Sequence, residues 1–527
     1  MKDYSIILFL CSWGPHPAYQ SLQDMAADIP PEIKMVRIPC SGRISKALLF
    51  KPFEMGADGV ALVGCKAGSC RYGAGTESAR ANDEDTRRIL HLLGLGSERL
   101  RLANFMPEEA DALLSFLKDF TADIKRIGKS PVSPPQRSFG LNETWDKVKE
   151  AVVRNNVFSC QDCGKCSSSC PLAIAGKPFS PRALAASIIS GALSQQSVQE
   201  GIWACLTCGL CSERCPSMVD FPQFIREMRA ILLSSQVPSP DVHGGFLQSF
   251  MRTMCSPDLH TRHWDWLCGD LRTDPQSKTL FFGGCAAYFD AFFGRHLKVN
   301  TAKMLTEGIR LLNFFDISPA LLQDERCCGH DLLWSGDVES FLSLARLNQE
   351  AFRSSAAERI VTTCPECYRT LSVDYPAYGI DIPMEITLIH DLVEKEVDKG
   401  AVAFHPCKGN VTFLDPCRLR SMPEGKELPR KLISRLKPSA FKEMKQGGAV
   451  SDCCGNSAWI GCDSFSKALQ VTRLKQARNT GADILITACP KCQIHLKCAM
   501  EDPFFGGDIE MEVKDLTTLL SESIHWE

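Results

Sequence analysis

The chain has 527 residues, with 59 lysines and arginines against 62 aspartates and glutamates, and a formal net charge of −3. This balance leaves no general basic surface and argues against a nucleic-acid partner. No stretch approaches the roughly 20 apolar residues of a membrane span, and a chain this long with 27 cysteines is not a small disulfide scaffold. We therefore predict a cytoplasmic, multidomain α/β protein whose cysteines are ligands.

Residues 1–128 alternate strand-like and helix-like segments, which predicts a doubly wound parallel sheet. The predicted strands are Tyr4–Leu10, Lys34–Ile38, Gly59–Val63 and Leu100–Phe105. The predicted helices lie near Ala18–Ala27, Ser45–Glu54, Glu77–Leu93 and Glu108–Arg126. Ligands of such sheets bind just beyond the strand ends, where this unit places its thiols, so we predict a 2Fe–2S cluster on Cys11, Cys40, Cys65 and Cys70. The alternative is that some of them are buried small apolar residues.

This unit resembles the delta subunit of methyl-viologen-reducing hydrogenase over nearly its whole length. The resemblance is carried by Phe9–Trp13, Pro39–Arg43, Gly56–Gly59, Gly64-Cys65 and Cys70. It implies a 2Fe–2S cluster and a link between a hydrogenase or dehydrogenase and a flavoprotein. Family members often carry another cysteine where this chain has Gly14, so the four thiols named above are the available set. We expect the unit to dock a partner and admit electrons.

After a Pro/Ser-rich linker at 129–142, residues 143–235 contain two copies of the spacing Cys-x2-Cys-x2-Cys-x3-Cys-Pro. This is the bacterial ferredoxin spacing, in which the fourth cysteine usually binds the other cluster of the pair. We assign one 4Fe–4S cluster to Cys160, Cys163, Cys166 and Cys215, and the other to Cys170, Cys205, Cys208 and Cys211. The alternative is a pair of zinc sites or scattered structural thiols, which two full copies with Cys-Pro endings disfavour. The segment resembles the C subunit of heterodisulfide reductase, which implies a mainly helical frame.

Beyond a connector at 236–275, the chain contains an internal repeat, 276–400 and 401–527. Each copy has a single cysteine, a Cys-Cys-Gly and a Cys-Pro-x-Cys: Cys285, Cys327, Cys328, Cys364 and Cys367, then Cys417, Cys453, Cys454, Cys489 and Cys492. Strand-like runs at Thr279–Gly283 and Val411–Leu414 precede the single cysteines, so each copy is predicted to be an α/β lobe with its thiols at strand ends. Cys407 is an alternative to Cys417, which we prefer because it directly follows a strand.

Five cysteines exceed the four that a zinc ion or a cubane needs. The pattern resembles the CCG domain, and the pair resembles the B subunit of heterodisulfide reductase. That resemblance implies two facing non-cubane 4Fe–4S clusters, each bound by five cysteines, that cleave a small disulfide between them. Zinc or an ordinary cubane in one lobe is the alternative. His330 and His405 are candidate proton sources, although such histidines more often have structural roles.

No Gly-x-Gly-x-x-Gly follows a predicted strand, so we expect no flavin or NAD on this chain. Electrons must then come from a partner. The resemblance to three fused proteins implies a flavoprotein like the A subunit of heterodisulfide reductase, a hydrogenase or formate dehydrogenase-like donor, and electron bifurcation. Two alternatives remain open: an electron-transfer adaptor without its own substrate, and a CCG-type subunit of an organic-acid dehydrogenase.

Overall fold

A computed structural model describes residues 4–134, 144–400, 402–422 and 425–526, so most of the expected linker 129–142 lies outside it. The protein is mixed α/β with parallel sheets, and it divides into two compact units. The first unit comprises Met1–Gln136 and His243–Asp265, and the second comprises Arg137–Val242 and Trp266–Glu527. Within the described ranges, no helix combines the length and the apolar character needed to cross a membrane.

The first unit is built on a four-stranded parallel sheet in the order β2-β1-β3-β4. Its strands are β1 (Ile6–Cys11), β2 (Ile33–Ile38), β3 (Gly59–Gly64) and β4 (Leu100–Asn104). Its α-helices are Pro15–Asp24, Lys46–Glu54, Gly75–Leu92, Ala110–Ile127 and Phe246–Thr253. Each of the four predicted strands and four predicted helices is present within a few residues, because the apolar residues of this unit follow strand and helix periods closely.

The side chains of β1 alternate between the two faces of the sheet, and one set of them packs on helices. Ile6, Leu8 and Leu10 all point to one face, where they are fully buried against the helices Pro15–Asp24 and Ala110–Ile127. Burying side chains of this size stabilises the fold by roughly 1.5–3 kcal/mol each. The strand that ends at Cys11 is therefore anchored in the core of this unit.

The expected connector 236–275 contains a segment that belongs to the first unit. Helix Phe246–Thr253 packs on helix Lys46–Glu54, with the Phe246 ring 5.2 Å from that of Phe50. Arg252 Nε donates to Glu54 Oε1 at 2.6 Å. The residues after the start of the connector carry an amphipathic helical pattern, which composition alone does not reveal.

The second unit contains a ferredoxin segment (144–234) and two lobes, the first at 276–400 and the second at 402–526. Strands β5 (Thr279–Phe282), β6 (Arg359–Thr362) and β7 (Glu385–Leu388) form a parallel sheet in the order β5-β6-β7. Strands β8 (Asn410–Leu414), β9 (Ala440–Phe441), β10 (Ile484–Thr487) and β11 (Glu512–Asp515) form another in the order β11-β10-β8-β9. Strands β8, β10 and β11 repeat the pairing of β5, β6 and β7, so the sequence repeat is also a repeat of topology.

Helices make up most of the rest of this unit. The ferredoxin segment has Thr144–Arg154, Lys165–Ser168, Pro171–Ile174, Pro181–Ile189, Gln196–Ala204, Leu210–Glu213 and Phe221–Ser234. The first lobe has Ala286–Leu297, Thr301–Phe314, His330–Ser335, Val338–Arg353, Pro365–Arg369, Tyr375–Ala377 and Ile389–Asp398. The second lobe has Cys417–Arg420, Glu427–Arg435, Ser464–Arg478, Pro490–Met500 and Leu516–Glu522.

Arg229 joins the ferredoxin segment to the first lobe. Its buried guanidinium donates to the carbonyl oxygens of Trp203 (3.2 Å) and Cys205 (2.5 Å) in the segment. It also donates to the carbonyl oxygen of Trp334 in the lobe, at 2.7 Å. A buried arginine is tolerated only when its donors are satisfied in this way, so these contacts fix the two parts of the second unit against each other.

We predict that Arg229→Met lowers the free energy of unfolding by about 3 kcal/mol, because it leaves several buried carbonyl oxygens without a donor. Chemical denaturation of the anaerobically purified protein measures this. Arg346→Met, at an exposed position on helix Val338–Arg353, is the matched control and should change the stability by less than about 0.5 kcal/mol. Equal effects of the two substitutions would contradict the role given to Arg229.

Candidate functional site

The first unit brings four thiols together at one edge of its sheet. Cys11 ends β1, Cys65 directly follows β3, and their sulfurs lie 3.7 Å apart. Cys40 and Cys70 both lie against Gly75, where an added Cβ would be 2.8 Å and 2.7 Å from their sulfurs. Burial, followed by the Cys11 thiol, raises the pKa of Cys65 to about 12. All four cysteines predicted from the sequence therefore converge, and burial raises the pKa of Cys40 as it does that of Cys65.

Gly14 has a structural reason to lack a side chain. A Cβ at this position would lie 2.7 Å from the carbonyl oxygen of Phe105 and 3.1 Å from the sulfur of Cys65. Its backbone N–H donates to Cys65 and favours the charged form of that thiol. The position where relatives often have a cysteine is thus filled here by backbone that packs directly on a thiol of the group.

The two ferredoxin runs share one backbone conformation. In each run, the residue before the second cysteine and the glycine after it have positive φ: Asp162 (53°) and Gly164 (77°), then Thr207 (45°) and Gly209 (87°). Each glycine begins a short helix that carries the third cysteine. Left-handed residues at these points turn successive thiols toward one centre, and glycine adopts them without strain.

The crossed assignment of the fourth cysteine agrees with the packing of one set. Cys170, Cys205, Cys208 and Cys211 together line one small pocket. Burial raises the pKa of Cys170 and Cys205 to about 11, and the Cys205 thiol adds to the effect on Cys170. In the other set, Cys160 and Cys163 are exposed, whereas Cys166 and Cys215 are half-buried.

Each lobe contains five thiols in continuous contact, which we call its five-thiol group. In the first lobe the contacts run in the order Cys285, Cys327, Cys328, Cys367 and Cys364. In the second lobe they run in the equivalent order Cys417, Cys453, Cys454, Cys492 and Cys489. Cys407, the alternative to Cys417, instead directs its thiol to the carbonyl oxygen of Lys408.

Hydrogen bonds between neighbouring thiols have the largest effect on the pKa values in the second lobe. Hydrogen bonds to Cys454 and Cys489, together with burial, raise the pKa of Cys492 well above its usual value. Hydrogen bonds from Cys453 and Cys492 lower the pKa of Cys454 to about 6. His495 Nδ1 lies 3.2 Å from the Cys454 sulfur. Five buried sulfurs in contact cannot all be thiolates unless a cation is among them.

The ferredoxin segment adjoins the second lobe through its thiols. The charges of Cys208 and Cys417 interact, and so do those of Cys208 and Cys453. Arg420 Nη2 donates to the Cys208 carbonyl oxygen at 2.6 Å, and Arg418 Nη1 donates to the Thr207 carbonyl oxygen at 2.9 Å. Two arginines of the second lobe therefore hold the loop that carries the second thiol of this run.

The two five-thiol groups meet at their Cys-Pro-x-Cys segments. Cys364 and Cys489 lie close enough for their charges to interact. Between them, Lys491 Nζ lies 2.8 Å from Glu366 Oε2 and 2.5 Å from Asp331 Oδ1. A small pocket at this junction is lined by four thiols of the second lobe and by Pro365, Glu366, Arg418 and Lys491.

The two histidines singled out in the sequence occupy different surroundings. His330 is buried, with Nδ1 2.9 Å from Asp331 Oδ1, and its Nε2 accepts from Arg418 Nε at 3.0 Å. Both ring nitrogens are thus engaged beside the first five-thiol group. His405 is exposed and lies next to His525 near the end of the chain.

Several residues that support the thiols were not found from the sequence. Asn348 Nδ2 donates to the Cys327 carbonyl oxygen at 3.0 Å, and the Tyr375 hydroxyl donates to the Cys328 carbonyl oxygen at 3.1 Å. These bonds fix the Cys-Cys turn of the first lobe. The sequence does offer a signal for Asn348, because this residue directly follows the Arg-Leu pair that both copies of the repeat contain. No cysteine spacing indicates a role for Tyr375.

The donor sets fit iron better than other metals. Groups of four and five cysteine sulfurs are soft ligands that suit iron–sulfur clusters, and a zinc ion would leave one sulfur of each five-thiol group unused.

We predict that Gly14→Ala reduces the iron bound by the first unit and destabilises that unit by about 1–3 kcal/mol, because the new Cβ must displace Phe105 or the Cys65 sulfur. Iron analysis and thermal unfolding measure the two effects. Ser69→Ala, an exposed change in the loop before Cys70, should leave both unaltered. Normal iron content in Gly14→Ala would show that this close packing does not matter.

Three family models match the chain in sequence. The delta subunit of methyl-viologen-reducing hydrogenase matches residues 6–128, and the 4Fe–4S dicluster domain matches residues 156–219. The cysteine-rich domain matches twice, at 279–372 and 411–497. These matches follow the first unit, the ferredoxin segment and the two lobes, and they confirm the three resemblances drawn from the sequence.

Curated relatives cover different parts of the chain. The D subunit of dihydromethanophenazine:CoB–CoM heterodisulfide reductase from Methanosarcina barkeri is 27% identical over 267 residues, which is 49% of this chain and 62% of the relative. The B subunit of fumarate reductase (CoM/CoB) from Methanothermobacter marburgensis is 26% identical over 245 residues, 46% of this chain and 46% of the relative. The chain therefore spans less than two thirds of these relatives.

The first unit has a relative that it covers almost completely. The iron–sulfur D subunit of the F420-non-reducing hydrogenase from Archaeoglobus profundus is 31% identical over 124 residues, which is 24% of this chain and 90% of that relative. The chain is thus related over about half of its length to subunits of heterodisulfide reductase. Through residues 6–128 it belongs to the hydrogenase delta subunit family, joined here to a 4Fe–4S dicluster domain and two cysteine-rich domains.

Proposed function

We propose that the chain is the electron-relaying and disulfide-reducing subunit of a heterodisulfide reductase-like complex. The observation that carries this proposal is the meeting of two complete five-thiol groups at one junction, where Lys491 of the second Cys-Pro-x-Cys lies 2.8 Å from Glu366 of the first. A pure adaptor needs one path for electrons, whereas cleavage of a disulfide needs two electrons and two places for the resulting sulfurs. Paired five-thiol groups meet both needs.

The proposed cofactors follow the thiol sets. We assign a 2Fe–2S cluster to Cys11, Cys40, Cys65 and Cys70, and two cubane 4Fe–4S clusters to the crossed ferredoxin sets. We assign a non-cubane 4Fe–4S cluster to each five-thiol group, since the fifth sulfur has no place in a cubane. When bound, these clusters would supply one-electron transfer and iron sites with affinity for sulfur.

The chain's own residues set the order of the sites. Cys208 adjoins Cys417 and Cys453, so the second lobe is the one next to the ferredoxin segment. The first lobe is reached across the Cys489 and Cys364 junction. We infer that electrons pass from the ferredoxin segment to the second lobe and then to the first. In the balanced reaction, a disulfide takes up two electrons and two protons and gives two thiols.

The junction is also equipped to exclude water and to balance charge. Pro365 and Pro416 line its space, and Arg418 lies over the Trp334 ring at 3.7 Å. Cations fixed beside buried sulfurs stabilise negative charge that develops there, and a preformed site needs little reorganisation when this happens. Arg418 is thus placed to stabilise thiolate products, while the thiols hold the metal.

The first unit is proposed as the docking and electron-entry module. Around its four thiols stand exposed aromatic side chains, each with a cation: Arg71 lies 3.9 Å from the Trp13 ring and Arg43 lies 5.8 Å from the Tyr72 ring. Aromatic and arginine side chains are enriched in interfaces. Candidate partners are a flavoprotein like the A subunit of heterodisulfide reductase, where electrons would bifurcate, and a hydrogenase or formate dehydrogenase-like donor.

A second candidate function uses the same site in the opposite direction. The B subunit of fumarate reductase (CoM/CoB) is similar to this chain over 46% of its length, which favours a subunit that passes electrons between a thiol–disulfide couple and an organic acid. Assays of the purified chain with a small disulfide and a reduced dye, and with a dithiol and an oxidised dye, separate the two directions. Activity in neither assay would leave only the adaptor.

We predict that Cys454→Ser lowers disulfide reduction by more than about tenfold, because serine oxygen is a poor ligand for iron where thiolate is required. The ferredoxin signals should persist in EPR spectra of the same sample. Cys268→Ser, at an exposed thiol outside every proposed ligand set, is the control and should retain full activity. Full activity of Cys454→Ser would remove the second five-thiol group from the mechanism.

We also predict that Cys208→Ala separates two assays. Partner-linked activity should fall by more than about tenfold, because a cubane with three ligands no longer joins the donor to the lobes. Dye-linked activity should fall much less, since a small dye can reduce the lobes directly. The same loss in both assays would assign Cys208 a role in folding instead of electron transfer.

A further inference from the structure

The variable residues of the two Cys-Pro-x-Cys motifs carry opposite charges. The repeat places Glu366 of the first lobe at the position of Lys491 of the second. In the structure the two side chains meet, with Lys491 Nζ 2.8 Å from Glu366 Oε2. Positions that are equivalent in the repeat thus become partners across the junction of the lobes.

A second acid completes the contact from the first lobe. Asp331, three residues after Cys328, lies 2.5 Å from Lys491 Nζ, and its other neighbour is His330 at 2.9 Å. The equivalent residue in the second lobe is Ser457. The first lobe therefore supplies two carboxylates and the second lobe supplies one ammonium, so the pairing is not symmetric.

Burial makes this ion cluster a strict geometric constraint. Lys491 and Asp331 are buried, and Glu366 is largely so. A buried charge is costly unless its partners stay within hydrogen-bond distance, and removal of one partner leaves the others uncompensated. Lys491 stands between Cys489 and Cys492, as Glu366 stands between Cys364 and Cys367, so any slip of one lobe would separate both the charges and the thiols.

We propose that Lys491 is a positioning residue whose ion pairs with Glu366 and Asp331 hold the two five-thiol groups in register. The same charges specify which lobes pair, since two copies of the first lobe would oppose acid to acid. The functional consequence of this register rests on the proposed function, because a disulfide can bridge the two groups only at one separation. The contact itself stands independently of that function.

The test uses the full chain, purified anaerobically with its iron, in three variants. Lys491→Met removes both ion pairs of the cluster. Glu366→Gln removes only the charge of the pair between the two Cys-Pro-x-Cys segments and keeps the side-chain volume, so this variant still tests the proposal if Lys491→Met does not fold. Lys475→Met, on an exposed face of helix Ser464–Arg478, is the control. The two readouts are hydrogen exchange of segments 364–369 and 489–495, and the magnetic interaction between the paramagnetic centres of the lobes.

In Lys491→Met we expect exchange of the two segments to become about tenfold faster or more, and in Glu366→Gln we expect a smaller increase in the same direction, because one of the two buried ion pairs remains there. We also expect the magnetic interaction to be lost in Lys491→Met and weakened in Glu366→Gln, with iron content and control values unchanged. Unaltered exchange and interaction would overturn the proposal. So would an unaltered interaction with reduction potentials displaced in opposite directions by the two variants, since this would show an electrostatic effect without positioning.

Iron analysis of the unmodified protein separates this proposal from the function on which its consequence rests. If its lobes contain no iron, the proposed function fails, and hydrogen exchange alone still decides whether Lys491 holds the lobes in register. If its lobes contain iron and the two variants behave like Lys475→Met, the function stands and the positioning role is rejected.

Discussion

The structure depends on one electrostatic constraint, the burial of many thiols in mutual contact. Ten thiols in two groups lie inside the lobes, and most of them have a pKa raised well above the usual value by contact and burial. Such groups are stable as protonated thiols or as ligands of a cation, but not as free thiolates. Parallel strands that end at one edge deliver the thiols, and neighbouring arginine and lysine side chains balance the charge that metal binding leaves.

Buried cations also connect the parts of the second unit. Arg229 joins the ferredoxin segment to the first lobe, Arg420 joins it to the second, and Lys491 joins the lobes to each other. Arg229 and Arg420 donate to the carbonyl oxygens of cysteines, and Lys491 lies between two cysteines in the sequence. The same contacts therefore hold the architecture and set the distances over which electrons would pass, so the folding and the proposed chemistry of this unit depend on shared residues.

Much of this organisation is encoded locally and was predictable. The strands of the first unit, the doubled ferredoxin spacing and the repeated five-cysteine pattern follow from periodicity and spacing, and Gly164 and Gly209 stand where the loops need left-handed residues. The contacts that the sequence did not predict join residues that are far apart in the chain. Helix Phe246–Thr253 packs on a helix about 200 residues earlier in the chain, and no local pattern indicates that partner. The Lys491–Asp331 pair and the Tyr375 contact likewise arise only when separate segments meet.

The central claim is that both five-thiol groups bind iron, and iron and sulfide analysis with Mössbauer spectroscopy of the anaerobically purified protein tests it most directly. Full loading of one 2Fe–2S, two cubane and two non-cubane clusters predicts about 18 iron atoms per chain, with a spectral component distinct from ordinary cubanes. A chain with about 10 iron atoms and only 2Fe–2S and cubane spectra would place no clusters in the lobes and contradict the account.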